Sequence, residues 1–164
     1  MTTHIERLTN EEIQEKYRQR VKTFFTQIKE WLPDDLEMYN PVPNYRITDS
    51  TGTYKIDPTA ICRINVQEPD NHVVDIFPRG ATVLLGEGIL EISGSLGEEK
   101  LIYFCRDTLP KVEYELGESH PIYRGVDLDG WYWLESSMSN RAIFVTCNQL
   151  FDLIRLVSLY SNPK

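Results

Sequence analysis

Asp127-Leu128-Asp129-Gly130, with Glu135 downstream, is the segment whose residue types come closest to a cation loop. A calcium loop of the EF-hand type needs oxygen ligands at its first, third and fifth positions, Gly at the sixth and Glu at the twelfth. Here Gly130 is the fourth residue and Glu135 the ninth, so the spacing fails. An Asp-Gly step before Trp131 is instead the chemistry of a turn that leads into a strand. His4, His72 and His120 and the three cysteines, Cys62, Cys105 and Cys147, are the other metal-ligand types, and no two of them have ligand spacing. We therefore expect no metal and no cofactor.

Nucleophilic chemistry fares no better. Cys105 is followed by Arg106, which can lower a thiol pKa, but a cysteine nucleophile also needs a base held by a third group. Cys147 opens the last helical pattern, where the helix dipole acts in the same direction. Its place between two apolar segments reads as that of a small hydrophobe. The glycine-rich stretch holds neither a P-loop nor a dinucleotide fingerprint. Gly86-Glu87-Gly88 reads as a tight turn. Carboxylates are plentiful, and Glu113, Glu115, Glu118, Asp127 and Asp129 are the pool from which a paired-carboxylate hydrolase would draw. Glu113 and Glu115 alternate, however, as on a solvated strand face.

Those acids have a second reading. The chain carries 25 acidic against 17 basic residues, a formal charge of −8. Between residues 107 and 129, six acids face Lys111 and Arg124, a local balance of −4. Such a surface disfavours nucleic acid, whose phosphates bind clustered Lys and Arg, and suits a protein with a basic surface. Directly after the acidic stretch comes Trp131-Tyr132-Trp133. In a strand, Trp131 and Trp133 face one way and Tyr132 the other, and aromatic residues of this kind anchor interfaces as well as cores. The acids and this aromatic group form one candidate partner-binding set.

The elements that must position these residues are read from periodicity. Thr9-Asn10-Glu11-Glu12 is a capping box. Ile13, Tyr17, Val21, Phe24, Ile28, Trp31 and Leu32 share a narrow stripe at about 100° per residue, which predicts an amphipathic helix over 9–32, ended by Pro33. Residues 34–44 read as a connector. Residues 45–48 and 53–56 form an expected hairpin, and 60–66 a further strand. The runs HVVDIF, ATVLL, ILEIS and KLIYF between His72 and Phe104, separated by Pro and Gly turns, predict a meander of short antiparallel strands. Beyond it we expect a strand at 112–116, a long loop at 117–129 and strands at 131–134 and 142–145.

Thr146-Cys147-Asn148-Gln149 opens a second helix, expected over 147–160. Leu150, Leu153, Ile154, Leu156, Val157 and Tyr160 cover most of one side, while Phe151 and Leu159 fall on the other. A helix this apolar is covered on more than one side, so Phe151 and Leu159 join the candidate contact residues, with a homodimer through this helix as one way to cover them.

The whole, residues 1–164, reads as one α+β domain. An antiparallel sheet of about seven or eight strands, within 45–145, is flanked by an N-terminal amphipathic helix and a C-terminal apolar helix. An odd cysteine count, no apolar leader and no run near 20 apolar residues point to a cytoplasmic protein outside the membrane. The leading functional expectation is a non-catalytic acidic protein-binding module: an inhibitor, an immunity protein or an accessory subunit of a bacterial complex. A small enzyme or ligand-binding domain with a carboxylate-lined loop ranks second, and a dimeric structural subunit third.

Overall fold

The computed structural model describes residues 8–39, 45–56, 62–66, 71–83, 86–109, 111–113, 119–121, 123–135 and 140–160. Helix α1 spans Asn10–Trp31, and both halves of its capping box form: the Thr9 side chain accepts from the Glu12 amide, and the Glu12 carboxylate accepts from the Thr9 amide. It ends one residue before Leu32, as Pro33 requires. Its buried stripe is Tyr17, Val21, Phe24 and Ile28, widened by Phe25.

The strands are β1 (Leu36–Tyr39), β2 (Tyr45–Asp49), β3 (Gly52–Ile56), β4 (Cys62–Val66), β5 (Asn71–Gly80), β6 (Ile89–Gly94) and β7 (Gly97–Phe104). A 3-10 turn at Arg106–Thr108 follows, then β8 (Lys111–Glu113), β9 (Ser119–Pro121), β10 (Gly130–Leu134), β11 (Ala142–Phe144) and helix α2 (Cys147–Val157). The architecture is α+β. Seven strands form one antiparallel sheet in the order β1-β4-β5-β6-β7-β10-β11, and β2-β3 and β8-β9 are separate hairpins.

Several expectations need correction. Residues 34–44 are not only a connector, because β1 lies there and pairs antiparallel with β4, Leu36 opposite Val66. Residues 81–83 of the ATVLL run are not a strand and make only the Val83–Gly86 bridge. The reason is that β5 pairs directly with β6, Gly80 opposite Ile89, so Ala81, Thr82 and Val83 leave the ladder. The stretch 117–129 is not all loop, since β9 pairs there with β8. The last helix also stops at Val157, three residues earlier than expected.

Alternation along β7 and β10 divides the interior in two. Leu101 and Trp131 face one side and join Leu90, Ile92 and the buried stripes of both helices. Ile102, Phe104 and Tyr132 face the other and pack with Val126 and Ala142 in a second, smaller cluster. β10 is therefore clothed on both faces, which is why three large aromatics in a row suit it.

Candidate functional site

The sequence places Trp131 beside the acidic stretch, and the structure adds α1 to that neighbourhood. Between α1 and the β7-β10 end of the sheet lies a cleft of about 260 Å³. Gln19, Arg20, Thr23, Phe24 and Gln27 supply the helix wall. Tyr103, Asp129, Gly130, Trp131, Phe144 and Val145 supply the sheet wall. Its apolar lining is a set of packed rings: Trp131 stands 5.8 Å from Phe24 and 5.3 Å, edge to face, from Tyr103. Gly130 leaves room at the mouth for the Phe144 ring, which a Cβ there would approach to 2.6 Å and displace.

One end of the cleft is charged. The Arg20 guanidinium lies 4.2 Å over the Tyr103 ring, a cation–π contact. It also donates to the Glu87 carbonyl at 3.4 Å, sits 3.9 Å from the Glu87 carboxylate and reaches the Cys105 sulfur at 3.5 Å. Glu87 is held in turn by the Thr108 hydroxyl, which donates at 2.6 Å. Burial, followed by the hydrogen bond to Glu87, pushes the Cys105 thiol up to about 12, and Arg20 opposes this without prevailing. The cation beside the sulfur is thus Arg20 rather than Arg106, and its effect is outweighed. Cys105 is a neutral thiol at physiological pH, unsuited to nucleophilic attack.

The loop before β10 is held from two sides, by a tyrosine hydroxyl beneath and by Asp129. Tyr132 is 1% exposed, and its Oη donates to the Leu128 carbonyl at 2.7 Å and accepts from the Leu128 amide at 3.3 Å. Asp129 accepts from the Arg106 amide at 2.8 Å. The side chain of Leu128 is left 64% exposed, between the exposed carboxylates of Asp127 and Asp129.

The candidate residues thus separate. Asp127 and Asp129 are at the surface beside the cleft. Trp131, 5% exposed, is a wall of the cleft, while Tyr132 is buried on the opposite face and acts on the loop. Trp133 is half-buried and donates from Nε1 to Glu99 at 3.0 Å. Glu113 lies in β8, and Glu115 and Glu118 fall outside the described residues. Phe151 and Leu159 belong to a different surface. Phe151 is half-buried beside Trp31, Pro33, Asn148, Asp152 and Arg155, and Leu159 is 79% exposed just past the end of α2. Leu128 and Arg20 were not singled out in the sequence. The Asp-x-Asp-Gly turn was the available signal for the first, and nothing local marks the second.

Among the described residues, no three His, Cys, Asp or Glu side chains gather as a metal site, and no helix is long and apolar enough to cross a membrane. No family model, no curated protein and no solved structure matches the chain.

Proposed function

We propose that this protein is a non-catalytic binding module, an inhibitor, immunity protein or accessory subunit of a bacterial complex, that takes a protein partner with a basic surface through the 127–130 loop and the cleft beside it. The observation that carries the reading is the Tyr132 clamp. A leucine presented to solvent between two carboxylates, on backbone tied down from beneath, binds without first having to be ordered, and preorganisation of this kind favours affinity. The cleft supports the same reading by size. At about 260 Å³ it lies at the lower edge of the small-molecule range of about 300–1,000 Å³ and has room for one large side chain. The net charge of −8 adds long-range attraction for a basic surface.

The test starts with a photo-crosslinking residue at position 128 to capture the partner covalently. Association kinetics are then measured for Asp127→Lys/Asp129→Lys. The expected result is slower association with a weaker salt dependence and little change in dissociation. Kinetics indifferent to both salt and these substitutions would overturn the reading.

One observation favours a second surface. Leu156 and Leu159 are exposed at the end of α2, and the Phe151 groove lies on the same helix. A homodimer through α2 would cover them, and sedimentation of Leu156→Asp/Leu159→Asp against the parent protein tests it.

A further inference from the structure

The Trp131 indole nitrogen is the buried side-chain polar atom without a hydrogen-bond partner among the described residues. Tyr17, Tyr54 and Tyr132 all have theirs, and Trp133 donates to Glu99. A buried donor left unpaired is costly, so its persistence calls for an explanation. Trp131 is also a wall of the cleft, in contact with the rings of Phe24 and Tyr103.

Resting on the binding reading above, we infer that the cleft receives from the partner an apolar side chain together with a carbonyl oxygen that accepts the Trp131 N–H, while a neighbouring cation of the partner meets Asp129. The chemistry divides the work in this way. A lysine or arginine head has no acceptor to offer Trp131, and it would be placed beside the Arg20 guanidinium, which already covers Tyr103. Asp129, at the rim, is the group on this cleft that attracts a cation. An aromatic or long aliphatic side chain fits against Phe24 and Phe144, and the amide carbonyl next to it supplies the acceptor. The indole nitrogen is closed to solvent in this structure, so the carbonyl reaches it as a wall side chain gives way. Of the rings against Trp131, Tyr17 and Phe24 are buried and Tyr103 is half-buried, so Tyr103 is the wall best able to move.

The probe is N-acetyl-phenylalanyl-lysinamide, and the readout is the indole N–H resonance of each tryptophan, assigned with Trp131→Phe. In the free protein the Trp131 proton is expected upfield of the Trp133 proton. The probe is expected to move it downfield and to leave Trp133 in place. Trp131→3-benzothienylalanine keeps the ring volume and removes the donor. It is expected to weaken the probe by about three- to tenfold while raising Tm, because it removes an unpaired buried donor from the free protein. The inference is overturned by a Trp131 proton already hydrogen-bonded in the free protein, including transfer of magnetisation from a bound water. It is equally overturned by a probe that perturbs residues 127–129 but not Trp131, a result that would leave the binding reading standing. A probe that perturbs neither, alongside a crosslinked partner indifferent to charge reversal at Asp127 and Asp129, overturns both.

Discussion

Among the described residues, Tyr17 and Tyr132 each both donate to and accept from backbone through one hydroxyl, and they serve different ends. Tyr17, on the buried stripe of α1, donates to the Ile89 carbonyl at 2.6 Å and accepts from the Arg79 and Gly80 amides at 3.1 and 3.3 Å. That is where the β5-β6 register shifts, between Pro78 and Gly80. A bulge leaves backbone groups outside the ladder, and the helix supplies the atom that satisfies them. Tyr132 makes one donated and one accepted bond, both to Leu128, in a loop where Asp127, Leu128 and Asp129 are exposed. The Tyr17 clamp includes a buried bond to Gly80, whereas both Tyr132 bonds end on the exposed Leu128, so water is expected to replace the second clamp more readily than the first. The Tyr17 bonds therefore concern stability, and the Tyr132 bonds concern the shape of a surface.

The comparison breaks first at Tyr17. Tyr17→Phe keeps the ring and strands three backbone groups between helix and sheet. At about 1–3 kcal/mol for a buried group left unpaired, and allowing for partial rearrangement, a loss of about 3 kcal/mol is expected in urea unfolding. A loss below about 0.5 kcal/mol would show that water enters beneath α1 and that the two clamps are equivalent.

The bulge has a second support, and it makes the prediction pH-dependent. The Ala81 amide donates to Asp49 at 2.9 Å and to the Tyr54 hydroxyl at 2.7 Å, and Tyr54 donates to Asp49 at 2.6 Å. Burial raises the Asp49 pKa, but hydrogen bonds from the Thr51 and Tyr54 side chains and from the Thr51 and Ala81 amides outweigh it, so the net shift is downward. A carboxyl whose folded pKa lies below its unfolded value stabilises the fold in full above the ordinary value of 3.8 and loses that contribution as pH falls through the folded value. Acid unfolding is therefore expected to begin earlier in Tyr54→Phe, which removes one of the bonds that favour the carboxylate. Asp49→Asn is expected to flatten the acid limb. An acid limb unchanged in Asp49→Asn would remove this group from the account.

Much of this framework was legible in the chain, and the gaps have physical causes. The α1 capping box and stripe are local signals, so Thr9, Glu12 and the positions from Tyr17 to Ile28 could be read directly. β6 and β7 are bounded by Gly turns and were equally plain, whereas Pro78-Arg79-Gly80, expected as the turn after β5, continues that strand against β6. β1 was missed because Leu36–Tyr39 is four residues long among acids and prolines, and only its distant partner β4 makes it a strand. Residues 81–83 of the ATVLL run were misread because a short apolar segment suits an irregular, partly buried stretch as well as a strand. At the site, Trp131-Tyr132-Trp133 announced an aromatic strand, but alternation alone cannot say that both faces are covered. That depends on where α1 and Val126 come to rest. The placement of Arg20 over Tyr103 joins residues 83 positions apart and leaves no trace in either neighbourhood.

The smallest expected change in stability comes from Tyr132→Phe, and it sharpens the comparison most. The ring keeps its contacts with Phe104 and Phe144 in the second core, at 5.8 and 5.4 Å. Only the two bonds to Leu128 are lost, and water can take them over. A cost of about 0.5–1.5 kcal/mol is expected, the usual net worth of a hydrogen bond. The loop should register far more. Amide hydrogen exchange at Leu128 should accelerate while exchange along β10 stays slow, because the opening is local. Binding of the captured partner should weaken chiefly through faster dissociation, since the loop must then be ordered on contact. A variant with the parent's exchange rate at Leu128 and the parent's affinity would mean that Asp129 and its bond to the Arg106 amide suffice to hold the loop. The Tyr132 clamp would then be, like that of Tyr17, a matter of stability alone.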